Sequence, residues 1–374
     1  MQPISRRQAL LLGGLGIAGT TAGAAGLMGG LTLREPPVTG GELTQPREER
    51  STDGQLMVRL EAAPGEILLA GLRAAALGYN GGIPGPTLRV HAGDVMKVEL
   101  VNNLDRTTNL HVHGLHVSPQ NNGDNVFLAV EPGRSFGYEC RLPQHHPPGV
   151  YWYHPHHHRL VADQVFAGLV GADLPVTTST GDSVLRAFHQ DRGSMPGMMG
   201  PGFGARGAAE QPDGAALLTL HVSGEPSPPL PAVPAAEGPG DLRSSAVAAR
   251  RQIVLAAGMG MGGGPDMMRF TINGREFNEA RTDTTVAAGS VEEWTLTNIS
   301  PMDHPFHLHV WPMQVIEENG LDTDAAIWRD VVNVPANGHV KVRVAFTDFR
   351  GRSVYHCHIL DHEDLGMMGV IDVQ

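Results

Sequence analysis

The chain has 374 residues and a formal net charge of −12, from 27 Lys and Arg against 39 Asp and Glu. That balance, with no basic stripe beyond the N-terminal segment, argues against a nucleic-acid partner. Two cysteines, Cys140 and Cys357, cannot build a disulfide framework, so stability must come from packing and bound groups.

Residues 1–33 carry paired arginines, Arg6 and Arg7, then a Gly-rich apolar stretch and small residues suited to cleavage. They read as a twin-arginine signal, which implies the twin-arginine export machinery as a partner and a periplasmic or extracellular location. No charge occurs from Gln8 to Leu33, a length able to span a bilayer. An uncleaved anchor is therefore the alternative, and the many glycines weigh against it. Residues 34–54 are polar and read as a flexible leader.

From 55 to 175 the pattern is that of strands. PGPTLRVHAGDVMKVELVNN reads as turn, strand, tight turn and strand, and NLHVHGLH and YWYHPHHH follow it. Residues 266–374 repeat the arrangement with TVAAGSVEEWTLTN, then DHPFHLHVW and SVYHCHILDHEDLGMM. Gly93 precedes His111 by eighteen residues and Gly289 precedes His307 by the same eighteen, with Asn102 and Asn298 each nine residues after their glycine. Each half is expected to be one β-sandwich. Between them, residues 176–265 offer only a few strand-like pieces, notably Val184 to Phe188 and Leu217 to Val222. The rest is Gly-, Pro- and Met-rich linker that cannot bury a core of its own.

Ten of the nineteen histidines fall in four clusters: His111 and His113; His154 and His156; His304, His307 and His309; His356, His358 and His362. On a strand, successive side chains alternate faces, so Cys357 points one way while His356 and His358 point the other, about 6.6 Å apart. His362 and Met367 are placed to fold back onto the thiolate side. A His2Cys set with a weak thioether suits copper used for electron transfer. Burying three imidazoles around a thiol without a metal would leave polar groups unpaired. His116, His157 and His158 adjoin the clusters and read as supporting or surface residues, while His91, His145, His146, His189, His221 and His339 read as surface or turn residues.

These strings resemble the signatures of the multicopper oxidases, of the laccase and cuprous oxidase kind: HVHG, HPH, HPFHLH and HCHILDHEDLGM. The resemblance implies an all-β chain of two cupredoxin-type Greek-key sandwiches, with 176–265 holding the remnant of a middle domain. It also implies four coppers: a type 1 ion on His304, Cys357, His362 and Met367, a type 2 ion on His111 and His307, and a type 3 pair on His113, His154, His156, His309, His356 and His358. Electrons from a phenolic or aromatic amine donor would then reduce dioxygen to water, with Glu363 and Asp124 as acids supplying protons. Seven methionines between Met195 and Met199 and between Met259 and Met268 make Cu(I) the alternative donor, as in a cuprous oxidase serving copper tolerance. A copper-free exported structural protein would not need these ligands, and a two-domain nitrite reductase needs only three histidines at its second copper. The shortened middle leaves two assemblies open: end domains packed within one chain, or paired between chains as in homotrimeric two-domain laccases.

Overall fold

Alternating burial sorts the strands into two β-sandwiches. Along Val95–Asn102, Ser290–Asn298 and His339–Phe346 every second side chain is buried, the period of a sheet with one face on a core. The computed structural model describes residues 46–69, 72–172, 181–187, 215–222, 240–259 and 268–374. The signal segment, most of the leader, His189, the whole run from Met195 to Met199 and residues 260–267 of the second methionine run lie outside the described residues. Among the described residues no helix is long and apolar enough to cross a membrane.

In the N-terminal half, a four-stranded sheet in the order Leu72–Tyr79, Gln55–Leu69, Val95–Asn102, Ser135–Arg141 faces a three-stranded sheet of His111–His113, Trp152–His154 and Gly171–Ala172. Leu56, Leu60, Val98, Leu100, Tyr138 and Cys140 fill the space between them. In the C-terminal half, six strands run Met268–Ile272, Ala249–Met259, Ser290–Asn298, His339–Phe346, Met313–Glu318, Leu321–Arg329. Five more run Thr284–Val286, Met368–Val373, Gly351–Cys357, His304–Leu308, Val331–Val334, and Trp294, Phe306, Trp311, Phe346 and Tyr355 dominate the core. Among the described residues, two short helices interrupt the strands, Val161–Phe166 and Leu360–Asp364, with one 3-10 turn at Leu242–Ser244.

The internal repeat has a structural counterpart. Gly93 and Gly289 both take φ near +80, at +88° and +81°, a turn open to glycine and costly for other residues. Asn102 and Asn298, both buried, then organise the next turn. Asn102 donates to the carbonyls of Arg106 and Val130 and accepts from the N–H of Leu104. Asn298 donates to the carbonyls of Met302 and Val334 and accepts from the N–H of Ser300. Each repeat therefore delivers a histidine-bearing strand after the same asparagine-pinned turn.

Two boundaries differ from the sequence reading. Ala249–Met259, assigned above to the linker, runs parallel to Ser290–Asn298, with Ile253 and Leu255 buried in the C-terminal core. The Gly and Met run that follows it had masked this strand. Glu48–Arg50, assigned to the leader, pairs in parallel with Thr87–Arg89. Within the linker proper, Gly181–Ala187 pairs antiparallel with Ala215–Val222, the two places where strand-like pieces are expected. Apart from the 66–74 ends of two N-terminal strands, both sandwiches belong to one compact unit, Gln45–Gly65 with Ala75–Gln374.

Candidate metal centre

Each half pairs its own histidine strands. His111 lies opposite His154 in one sandwich, and His307 lies opposite His356 in the other, with Phe306 opposite Cys357. The two halves then meet ring on ring. His111 stacks on His309 with centroids 3.9 Å apart, and His113 stacks on His307 at 4.1 Å. Ligand atoms come within 4.8 Å of one another in the groups His111, His113, His154; His111, His307, His309; and His156, His309, His356. Two of these three groups draw on both halves of one chain.

Which ring nitrogen faces inward is set by hydrogen bonds at the other nitrogen. His154 Nδ1 sits 2.9 Å from the Pro155 carbonyl, His307 Nδ1 2.8 Å from the Asp330 carbonyl and His356 Nδ1 3.1 Å from the Cys357 carbonyl. His111 Nδ1 faces both oxygens of Asp124, at 2.9 and 3.0 Å. These acceptors require protons on Nδ1, leaving Nε2 as a bare lone pair. Accordingly the buried Nε2 atoms of His111, His154 and His307 have no hydrogen-bond partner. His309 Nε2 and His356 Nε2 stand 2.9 Å apart, and His156 Nε2 and His356 Nε2 3.1 Å apart.

Burial holds the pKa of His156, His356 and His358 down to about 3 and those of His111, His154, His307 and His309 well below the usual range. Neutral imidazoles that turn lone pairs toward one another repel unless a cation lies between them. The arrangement therefore fits metal ions, and neutral nitrogen donors suit copper.

Cys357 lies on the opposite face of its strand from these rings. Its Sγ is 3.4 Å from His304 Nδ1 and 3.6 Å from His362 Nδ1, and the two Nδ1 atoms are 3.3 Å apart. His304 is fixed at its other nitrogen: Ser300 Oγ donates to Asn298 Oδ1 and lies 2.7 Å from His304 Nε2, so it accepts that proton. Phe270 covers His362, ring over ring at 4.1 Å. Met367 is fully buried in the same core, and its carbonyl accepts the Cys357 N–H.

Glu363 is fully buried 3.2 Å from His156 Nε2 and 3.0 Å from His356 Nδ1. Neither oxygen is aligned for a hydrogen bond, so the contacts are close approaches rather than formed bonds. Loss of hydration pushes its pKa up to about 7, and burial does the same to Asp124.

Two multicopper oxidase family models match this chain, one over residues 62–174 and one over 255–374. The chain belongs to the multicopper oxidase family. It is 26% identical over 435 residues to the multicopper oxidase mco of Staphylococcus aureus, covering 89% of this chain and 92% of that one. It is 34% identical over 137 residues to copper resistance protein A of Pseudomonas syringae pv. tomato, covering 36% of this chain and 21% of that one. A solved multicopper oxidase from Campylobacter jejuni, titled a metallo-oxidase, superposes with a TM-score of 0.72 at 23% identity, over 88% of this chain and 94% of that chain. The two sandwiches are thus cupredoxin folds, and the family consists of copper oxidoreductases.

Several residues of this multicopper oxidase that the motifs leave unmarked shape the centre. Asn109 Oδ1 accepts the His156 N–H at 2.6 Å while its amide ties to the carbonyls of Val126 and Leu128. Asp330 places a carboxylate 3.0 Å from His113 Nε2, at the wall of an 840 Å³ cavity that also reaches His307. Ser300 and Phe270 brace the Cys357 side. None of the four has a spacing that could have announced it, because each acts from a separate strand or loop. His146, read as a surface or turn residue, sits in a turn but is buried, accepting the His116 N–H.

Proposed function

We propose that this multicopper oxidase binds four coppers within one chain and couples single-electron oxidation of a phenolic or aromatic amine donor to reduction of dioxygen to water. The observation that carries this reading is the convergence of neutral imidazole nitrogens from both halves behind Cys357. In this assignment His304, Cys357, His362 and Met367 hold the type 1 ion and His111 and His307 the type 2 ion. His113, His154, His156, His309, His356 and His358 hold the type 3 pair. When bound, copper supplies the one-electron redox steps and the site at which dioxygen is reduced. The rest falls to the chain. Cys357 links the outer set covalently to His356 and His358 on either side of it. Asp124 locks the His111 tautomer. Glu363, with a pKa near neutrality and contacts to two ligand rings, holds and passes protons. Because the histidine groups mix both halves of a single chain, a homotrimer is not required to complete the centre. Export through the twin-arginine machinery to the periplasm or beyond belongs to the same proposal, on the strength of Arg6 and Arg7 and the apolar stretch after them.

Apolar side chains favour an organic donor: Ile299, beside the Ser300 that holds His304, is 61% exposed, and Leu365, three residues after His362, is 51% exposed. A second reading, Cu(I) as donor, rests on the hairpin in which Met259 pairs with Met268. Met268 lies two residues before Phe270, the ring stacked on His362, and packs against the same core, which places a thioether on the strand that covers the outer ligands. Oxygen uptake by the copper-loaded protein with a substituted phenol and with Cu(I) decides between them. The phenol is expected to support the faster rate. A faster rate with Cu(I), lost when Met259 and Met268 are changed to leucine, reverses the order. With either donor, Glu363→Gln should slow turnover by about 100-fold, as loss of a positioned proton carrier does. Parent-like turnover of that variant would remove Glu363 from proton supply.

A further inference from the structure

We propose that His116 is a positioning residue for His309, holding in place a strained turn at the end of the ligand strand. The inference rests on the reading of His309 as a copper ligand.

Val310, directly after His309, has φ +70°. A β-branched residue avoids that region, and such conformations persist only where the surroundings over-determine them. Here the chain reverses in a three-residue turn, with the Trp311 N–H donating to the His309 carbonyl at 2.8 Å. The Val310 and Trp311 side chains are both buried in the C-terminal core. That packing anchors the side chains but leaves the Val310 carbonyl to find a partner elsewhere.

The partner comes from the other half of the molecule. His116 Nδ1 lies 2.7 Å from the Val310 carbonyl oxygen, and its Nε2 faces the carboxylate of Asp348. Both partners can only accept, so both ring nitrogens carry protons and the ring is an imidazolium. Burial opposes that charge, but the Asp348 and Val310 acceptors outweigh it, and the pKa of His116 ends above the ordinary histidine value. The ring is further fixed by Phe349, whose ring lies edge-on with centroids 4.9 Å apart, and the backbone of His116 is held where its main-chain N–H donates to His146 Nε2 at 3.0 Å. His146 can accept there because its Nδ1 faces the Pro147 carbonyl.

The turn decides where the strand ends and hence where the His309 ring sits, against His111 and 2.9 Å from His356 Nε2. If the Val310 carbonyl were released, φ would relax toward negative values and carry His309 with it. A plain latch between the halves would use the same bonds but would not depend on strain at Val310. Glycine at 310 separates the two roles, because it adopts positive φ without cost and needs no clamp.

The test uses the full chain loaded with copper, in the parent, His116→Gln, Val310→Gly and the double variant. Copper retained against a chelator is counted, the inner ions are followed by electron paramagnetic resonance, and the blue absorption reports an intact Cys357 site. His116→Gln is expected to keep its colour while its inner ions are held about 10–100-fold more weakly, the usual effect of losing a group that orients a ligand. Val310→Gly alone should resemble the parent, and the double variant should regain most of the loss. Asp348→Asn should give the same pattern at smaller size, and it serves if His116→Gln does not fold. Parent-like retention in His116→Gln, or a double variant no better than His116→Gln, overturns the proposal. A parent that takes up the blue ion but no inner ions overturns the four-copper reading itself.

Discussion

Cys357→Ser should yield a colourless protein that holds about three coppers rather than four and consumes oxygen at the background rate. The residue is fully buried, and its sulfur is a soft, polarizable donor 3.4 Å and 3.6 Å from the Nδ1 atoms of His304 and His362. Serine keeps the shape of the site but offers a hard oxygen that does not favour the same ion. Without the sulfur to hold the outer ion, no bonded path would run from that ion to the flanking His356 and His358, so donors would no longer be coupled to oxygen. Burying a hydroxyl in the surrounding core should cost only about 1–3 kcal/mol. Circular dichroism and urea unfolding should therefore show a folded chain. Optical absorption, copper counting and an oxygen electrode on one preparation check the result. If the variant stays blue, the thiolate assignment is wrong.

The copper-free protein should lose stability steeply as pH falls from 7 toward 5. Burial depresses the folded-state pKa of His156, His356, His358 and His362 to about 3, against about 6.5 in an unfolded chain. Between those values the unfolded chain takes up protons that the folded chain refuses. The stabilising contribution is thus complete above about pH 6.5 and is lost on acidification. Each such group can contribute a slope of about 1.4 kcal/mol per pH unit. Glu363 and Asp124, raised to about 7 by burial, work in the opposite sense, but the depressed histidines outnumber them. Bound copper adds about 2.7 kcal/mol per site at a hundredfold excess over its dissociation constant. Urea midpoints at pH 7, 6 and 5, with and without copper, measure both effects. A flat pH dependence without copper would show that the imidazoles are not held neutral.

Much of the metal centre is local and therefore readable in order along the chain. The alternation that sends Cys357 one way and His356 and His358 the other is a property of any strand. The same geometry put His111 and His113 on one face before any fold was known. The glycine and asparagine repeat at 93, 102, 289 and 298 is equally visible, because its equal spacing in the two halves can be read directly, although Asn102 and Asn298 also reach the distant carbonyls of Val130 and Val334. Legibility failed where a signal was diluted. The strand Ala249–Met259 ends in a glycine- and methionine-rich run, and its pairing with Ser290–Asn298 is a contact between distant segments that no short window contains. His146 reads as a surface or turn residue for the same reason, because the His116 N–H it accepts lies thirty residues away.

The sequence by itself determined the kinds of ligand, their grouping into pairs and the two-sandwich plan, because strand periodicity and turn chemistry act over a few residues. Only the tertiary structure decided which rings meet across the halves, with His111 against His309 and His113 against His307. It also decided which nitrogen each ring turns inward, through the carbonyls of Pro155, Asp330 and Cys357 and the carboxylate of Asp124. The ring-on-ring meetings depend on how the two sandwiches pack, while each nitrogen is fixed by an acceptor within its own half, whose position follows from backbone geometry that a motif does not spell out.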